Sequence, residues 1–443
     1  MPEVSSLHAI ELIVTLYLGL TAVLGTTVIA VTATKMRRVW VGSARTVKYR
    51  DVIRRDPLAV SLIVPVYNEP DEAIGRADRL AGLAHPRLEV ILVNDGSTDQ
   101  TMRRLRQNLH LREALPSPSG SLPTREVLGV YRSQLWPGLI VVDKRHGGRA
   151  DALNAALNVA HNPLVCVTTT STRLYSAALL VAAQRFEADP YLTALGAPLT
   201  PRSGGTLSGA VQQLLHARNT ARSTFQGKLH VLTHLSDDFA VFRRGDVIAA
   251  SGYRADELSN TELLMRLRDQ KWRRGEPCSV RYHVDSAGET DAPPGASRLA
   301  ARWLHEHRHA TRLLCQMVAL RLRPPRERLS WLTVPWMAVD TLAPLAKALA
   351  MVALPSLALA GAISWSFVAL ASAAVAALGA LHNLLLLSVE GAVPPASDPG
   401  ERARSLVAAV LTEFGPRPLA TLVKGWGVLT AVAPAPPTPG PRP

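Results

Sequence analysis

Two short, almost unbroken apolar runs constrain this chain most: AVSLIVPVY at Ala59–Tyr67 and LEVILVN at Leu88–Asn94. A strand with one wet face alternates apolar and polar residues. A strand covered by helices on both faces has no reason to, and β-branched residues fill it. Leu139–Val142 and Leu164–Val167 are two more such runs, and Glu72–Leu83 and Ala150–Ala160 between them carry helical spacing. Strand and helix in alternation predict an α/β domain with a mostly parallel central sheet over 58–290. In such a sheet the ligand lies beyond the carboxyl ends of the strands, where the loops carry Asn68, Asp95 and Thr169–Ser171. Pro116–Pro123, rich in Pro, Ser and Gly, reads as a surface insertion.

The rest of the chain is written for a different solvent. Of 443 residues, 47% are hydrophobic and only 5% aromatic, too apolar for a purely soluble enzyme. Ala9–Thr34 is apolar apart from Glu11 and is followed by Lys35, Arg37, Arg38, Arg45, Lys48, Arg50, Arg54 and Arg55. Its length and the absence of a basic region before it argue for a membrane span within 1–35, not a cleaved signal. The basic excess puts the following domain in the cytoplasm, at the inner membrane. Two further spans are expected within 331–389, at Trp331–Ala360 and Ile363–Val389. The first carries Asp340 and Lys347, which should face protein or water. A bent second span would raise the count from three to four.

The net charge of +14 fits nucleic acid, anionic lipid or a phosphate-bearing substrate. Clustering of Arg beside the apolar spans favours the membrane over nucleic acid. Cys166, Cys278 and Cys315 are far apart, with no metal-ligand spacing, and read as thiols of a reducing compartment.

Six blocks in order carry a resemblance. IVPVYNE (Ile63–Glu69) followed by ILVNDGSTDQT (Ile91–Thr101) resembles the opening of a membrane-bound family 2 glycosyltransferase of the processive polysaccharide-synthase kind. The block ending RHGGRADALNAAL at Leu157 is similar to that family's GGKADALNAGL. SDDFAVFRRGDVIAASGYR (Ser236–Arg254) resembles its acceptor-side stretch, and ELLMRLR (Glu262–Arg268) and ARW (Ala301–Trp303) resemble two further motifs. FGPRPLATLVKGWG (Phe414–Gly427) resembles its carboxyl-terminal signature. The resemblance implies a nucleotide-sugar transferase (GT-A-like) domain with nucleotide-binding residues Asn68, Glu69, Asp95, Gly148, Arg149 and Asp151. It implies a UDP-sugar donor and a polysaccharide or lipid-linked acceptor. Arg302 and Trp303 would hold the diphosphate and close the acceptor site.

The departures fall on the chemistry. The family's Asp-x-Asp, which holds the divalent metal, falls on Thr169 and Ser171, and its general-base Asp falls on Asn260. The Gln of its Gln-x-x-Arg-Trp motif falls on Leu299, and two small acceptor-block residues have become Asp237 and Asp238. Neutral hydroxyls bind a hard cation far more weakly than carboxylates do, and an amide cannot take a proton from a sugar hydroxyl. Loss of a general base alone typically costs about 10²–10⁴-fold. The expected protein is therefore a transferase-like membrane subunit of surface-polysaccharide synthesis with impaired or lost catalysis, partnered by an intact transferase. The alternative is an active inverting enzyme: Lys144, Arg145, Arg149, Arg173 and Arg302 neutralise the diphosphate, and Asp237 or Asp238 serves as base or as a Mg²⁺ or Mn²⁺ ligand. Otherwise no metal or cofactor is expected.

Three other signals have plain competitors. His305-Glu306-His307-Arg308-His309 matches the zinc-peptidase pattern H-E-x-x-H, but no clear third ligand follows, and the favoured reading is a basic amphipathic helix lying on the membrane within 295–323, with the peptidase a remote alternative. Gly147-Gly148 before a helix could cradle a phosphate, or form a simple strand-to-helix turn. An amphipathic segment is expected at 404–432, followed by a disordered Pro-rich tail at 433–443.

Overall fold

The computed structural model describes Thr27 and residues 57–81, 83–114, 120–202, 206–254, 259–283, 286–291, 296–319, 333–388 and 399–431. Apart from Thr27, the expected first span and its basic flank lie outside these residues, as does the Pro-rich tail. The chain divides into two compact units. One takes the described residues of Arg38–Arg202 and Gln226–Asp291, the other those of Met1–Arg37, Ser203–Phe225 and Ala292–Pro443.

The first unit is built on β1 (Val60–Val66), α1 (Pro70–Ala81), β2 (Leu88–Asp95), α2 (Thr101–Asn108), β3 (Leu111–Ala114) and β4 (Val127–Ser133). It continues through β5 (Leu139–Lys144), α3 (Arg149–Val159), β6 (Leu164–Thr168), β7 (Thr172–Leu174), α4 (Ala178–Ala188), β8 (Leu192–Gly196) and β9 (Leu199–Arg202). After α5 (Leu207–Lys228), most of which belongs to the other unit, come β10 (Phe239–Arg243), α6 (Arg244–Ala249), α7 (Ser259–Arg273), β11 (Ser279–Tyr282) and β12 (Gly288–Asp291).

Nine strands form one sheet in the order β11-β8-β10-β6-β1-β2-β5-β4-β3. Its middle, β6-β1-β2-β5, is parallel, and β10 runs antiparallel between β6 and β8. The four parallel strands are the four apolar runs, and they are buried as the absence of alternation requires. Pro65 sits in β1 without loss: Val60 N–H donates to Arg87 O on the β2 side, so the odd-numbered residues face β6. Pairing with β6 ends at Ile63, so no ladder bond awaits the missing Pro65 N–H. The core packs Leu62, Val64, Leu92 and Val141 against Leu105, Leu179 and Phe186 of the covering helices. A second, three-stranded sheet has the order β7-β12-β9. The first unit is thus an α/β fold with a mixed, largely parallel sheet.

The second unit is helical: the greater part of α5 with α8 (Ala296–Ala319), α9 (Thr333–Leu359), α10 (Trp365–Ser388), α11 (Pro399–Phe414) and α12 (Pro416–Ala431). Pro335–Leu359 and Trp365–Ser388 are long and apolar enough to cross a membrane. Their large apolar side chains, among them Val339, Leu349 and Val352 on α9 and Leu370, Val375 and Leu381 on α10, point outward. The segment expected as one amphipathic stretch at 404–432 is two helices, α11 and α12, bent by 42° at Gly415 and together apolar enough for a third span. Gly425 in α12 lets that helix approach α9, because a Cβ there would lie 2.8 Å from the Ala348 Cβ and 3.3 Å from the Pro344 carbonyl oxygen.

Candidate active site

The site lies on the first unit, at the edge where the parallel strands β1, β2, β5 and β6 end. Register places Asp95 beside Lys144 at the ends of β2 and β5. Because β10 is antiparallel to β6, Phe239 opposes Thr168, which brings Asp237 and Asp238 to the same edge. Asn68, with φ of 53°, ties two of the loops together. It donates its N–H to Ser97 Oγ at 3.0 Å and accepts from the Thr98 N–H at 2.9 Å. Glu69 N–H donates to Thr101 Oγ1 at 3.1 Å.

Asp95 is the centre of a closed network. Lys144 Nζ lies 2.7 Å from Asp95 Oδ1 and 2.5 Å from Asp151 Oδ1, with none of the Lys144 side chain exposed and only 5% of that of Asp95. Gly147 N–H donates to Asp95 Oδ1 at 3.0 Å and Gly148 N–H to Oδ2 at 2.9 Å. The amino end of α3 therefore binds an anion, and that anion is Asp95. A phosphate cradled by Gly147 and Gly148 would have to displace this carboxylate. Gly96 has φ of 67° and lies against the His146 backbone, where no side chain would fit. The rings of Tyr67 and His146 meet beside this network with centroids 4.7 Å apart, and Tyr67 is 44% exposed.

The positions of the missing carboxylates form a hydroxyl cluster. Thr169 Oγ1 is 3.0 Å from both Ser171 Oγ and Thr172 Oγ1 and donates to Asp238 Oδ1 at 3.3 Å. Thr168 and Thr172 donate their hydroxyls to the Asp238 carbonyl at 2.8 and 3.3 Å. The half-buried carboxylate of Asp238 thus accepts from Thr169, while the Asp238 backbone carbonyl takes the hydroxyls of Thr168 and Thr172. Among the described residues, no group of three His, Cys, Asp or Glu could hold a metal ion. A hard divalent cation calls for several charged oxygens, so this donor set does not fit one.

Asp237 has a different task. Its Oδ1 accepts from Ser259 Oγ at 3.0 Å and from the Asn260 N–H at 2.9 Å, and its Oδ2 from the Ser259 N–H at 3.2 Å. It caps α7 from a distant loop, and the helix start favours the negative charge. Arg149 braces the same loop, donating Nη2–H to the Asp237 carbonyl at 2.6 Å. Asn260 is fully buried and fully used. Its Oδ1 accepts from Tyr253 Oη at 3.0 Å and its Nδ2 donates to the Ser236 carbonyl at 2.7 Å. Burial drives the Tyr253 phenol far above its ordinary pKa, which keeps it a donor.

Arg302 and Trp303 belong to the helical unit, on α8. The Trp303 ring has Lys424 Nζ at 5.7 Å from its centroid, a cation–π contact within that unit. His305, Glu306, His307 and His309 are on the same helix, where His307 Nδ1 is 3.2 Å from the Trp303 carbonyl. Sequence reasoning named Lys144 only as one of several fixed cations for a diphosphate and passed over Tyr67 and His146. Lys144 is a buried hub, and no local signal marks it as one, because its two acidic partners come from β2 and α3.

Residues 61–112 match the model of Glycosyl transferase family 2. No curated protein matches the chain by sequence. Solved structures similar to it include the mannosyltransferase PcManGT from Pyrobaculum calidifontis in complex with GDP-Man and Mn²⁺, at 17% identity over 88% of this chain and 99% of that one, with a TM-score of 0.49. Another is S. aureus TarS with UDP-GlcNAc, at 14% identity over 81% and 92% of the two chains, with a TM-score of 0.42. A third is glucosyl-3-phosphoglycerate synthase from Mycobacterium tuberculosis with Mn²⁺, UDP-glucose and phosphoglyceric acid, at 15% identity over 60% and 82%, with a TM-score of 0.37. The first unit resembles the family 2 glycosyltransferases, and two apolar helices of the second are compatible with membrane association.

Proposed function

We propose that this chain is a family 2 glycosyltransferase-like integral membrane protein of cell-surface polysaccharide synthesis, binding a nucleotide sugar but transferring it poorly or not at all. The observation that carries the reading is the hydroxyl cluster of Ser171 and Thr172 around Thr169, which donates to Asp238 Oδ1. Leaving-group charge on a sugar diphosphate is normally offset by a cation on carboxylates, and here the carboxylates are absent. The base position is filled by Asn260, whose amide is fully engaged in the core. Asn68, Glu69 and Arg149 would frame the nucleotide at the sheet edge, with Asp95, Gly148 and Asp151 engaged in the network around Lys144 beside it. The domain would lie in the cytoplasm at the inner membrane on a multi-pass anchor, beside an intact transferase subunit that supplies turnover on a polysaccharide or lipid-linked acceptor.

A second reading has one observation behind it: Asp238 is half-exposed on the hydroxyl cluster and could act as base in a metal-free site. Titration calorimetry with UDP, with and without Mn²⁺, tests the first reading. Binding that is the same in both conditions is expected. Binding that requires Mn²⁺ would refute the assignment of Thr169 and Ser171 as non-ligands.

A further inference from the structure

The first unit holds a cavity of about 200 Å³ that the nucleotide site does not use. Its floor is apolar and buried: Ala182 of α4, Leu195 of β8, Ala197 just after β8, and Phe239 of β10, none more than 6% exposed. Ala178 and Ala182, one turn apart, present the same face of α4 to it. With Ala197 and Ala287 they make four lining positions whose side chains stop at Cβ, and this leaves the space. Tyr175, 45% exposed, lines the same cavity and marks its opening.

The polar lining groups are committed elsewhere. Ser286 Oγ donates to the Gly288 carbonyl at 2.6 Å and accepts from the Thr200 N–H at 3.3 Å, and Tyr175 Oη lies 3.5 Å from Glu289 Oε1. Among the described residues, no buried polar side-chain atom without a partner lines the cavity. Its interior therefore selects hydrocarbon, held by dispersion and exclusion of water. A dry apolar cavity of about 150 Å³ takes a benzene ring, so this one has room for about six to eight carbons of a chain. One cation stands at the edge. Arg185, exposed and three residues beyond Ala182 on α4, has its Nη2 3.4 Å from Nε2 of His283, which lines the cavity. Among the described residues Arg185 forms no ion pair: Asp189 is taken by Arg281 at 3.2 Å, and Glu187 accepts the Leu58 N–H at 2.8 Å.

We propose that this cavity binds the methyl end of a single-chain lipid with an anionic head, the chain lying against Ala178, Ala182 and Phe239 and the head held by Arg185. A guanidinium fork takes carboxylate and phosphate oxygens alike, so the shared chemistry is one hydrocarbon chain ending in either group. A chain with two helices apolar enough to cross a membrane would meet such amphiphiles at high local concentration. The cavity takes no part in the donor-site reading, which rests on Thr169 and Asn260, so failure here leaves that reading standing.

The test uses the full chain in phosphatidylcholine nanodiscs, titrated with dodecanoate, dodecyl phosphate and neutral dodecanol, each carrying a diazirine near the methyl end. Photolysis followed by peptide mass spectrometry locates the chain. Saturable labelling within α4 or at Phe239 is expected from the anionic amphiphiles. Ala182→Phe, which fills the floor, should cut that labelling at least about tenfold. Ala178→Leu, at a half-buried position, should do the same if the larger substitution disturbs folding. Arg185→Gln should remove the preference for an anionic head over dodecanol, a loss of about threefold, and keep the site of labelling. Tighter binding of dodecanoate assigns the head to a carboxylate, and tighter binding of dodecyl phosphate assigns it to a phosphate. Labelling confined to α9 and α10, or labelling of α4 that survives both Ala178→Leu and a folded Ala182→Phe, overturns the proposal. So does an Ala178→Leu variant with a raised thermal midpoint and unchanged binding, which would make the cavity a packing gap.

Discussion

Thr169 Oγ1 donates to Asp238 Oδ1 at 3.3 Å, so this carboxylate near the end of β6 is held by a hydroxyl at a position where a metal ligand is expected. Ser171 and Thr172 complete that shell around Thr169. Returning carboxylates to this shell should recreate what it lacks. The double variant Thr169→Asp with Ser171→Asp, placed beside Asp238, is expected to gain a Mn²⁺ site and to bind UDP at least about tenfold more tightly with Mn²⁺ than without. Calorimetry with and without the ion checks it, and unchanged affinity would count against the hydroxyl cluster as the lesion.

The opposite outcome is expected at Asn260. Its amide donates to the Ser236 carbonyl and accepts from Tyr253 Oη with no exposure to water. A carboxyl in its place loses the donor and sets an oxygen against that carbonyl. Asn260→Asp should therefore destabilise the fold by about 2–4 kcal/mol and restore no transfer. Chemical denaturation alongside a transfer assay reads both. The surroundings have adapted to the amide.

Asp237 is worth more to stability than to chemistry. Replacing it with Ala strips three bonds from the start of α7. The expected loss is about 1–3 kcal/mol in a denaturation experiment, with nucleotide affinity retained in the folded fraction.

Lys144 joins Asp95 to Asp151 in the interior. Lys144→Met leaves two carboxylates facing each other without their cation, and a loss of about 3–5 kcal/mol should follow in the same assay. A loss of nucleotide binding without destabilisation would instead make Lys144 a ligand contact.

Stability should also depend on pH through His216, in α5 of the helical unit. Burial pushes its pKa down to about 4 from an ordinary 6.5, and its Nε2 lies 3.4 Å from Thr220 Oγ1. The neutral ring is the form the fold accepts. Its contribution is complete above pH 6.5 and is lost as pH falls from there toward 4. The thermal midpoint in detergent should drop across that window, and His216→Gln should reduce the drop by several degrees.

The parallel sheet was legible because its strands are buried on both faces. The runs at Ala59–Tyr67, Leu88–Asn94, Leu139–Val142 and Leu164–Val167 correspond to β1, β2, β5 and β6 within one or two residues. The helices expected at Glu72–Leu83 and Ala150–Ala160 are α1 and α3, and the amphipathic segment before the spans is α8. Edge strands such as β3, β7 and β9 are short and partly polar, and carry no comparable pattern. The long helix α5 was missed because its apolar face, Leu214, Ala217 and Ala221, meets Leu386 and Ala409 from later helices. The resemblance located Asp237, Asp238 and Asn260 but not their division of labour. Capping of α7 by Asp237 and engagement of Asn260 by Tyr253 depend on loops brought together only by the antiparallel entry of β10.

The most direct measurement is incorporation of labelled sugar from UDP-sugars by the purified full-length chain, reconstituted without any other transferase, with Mn²⁺ and with a chelator. The account predicts turnover at background in both conditions. Turnover that depends on Mn²⁺ and vanishes with the chelator would contradict it.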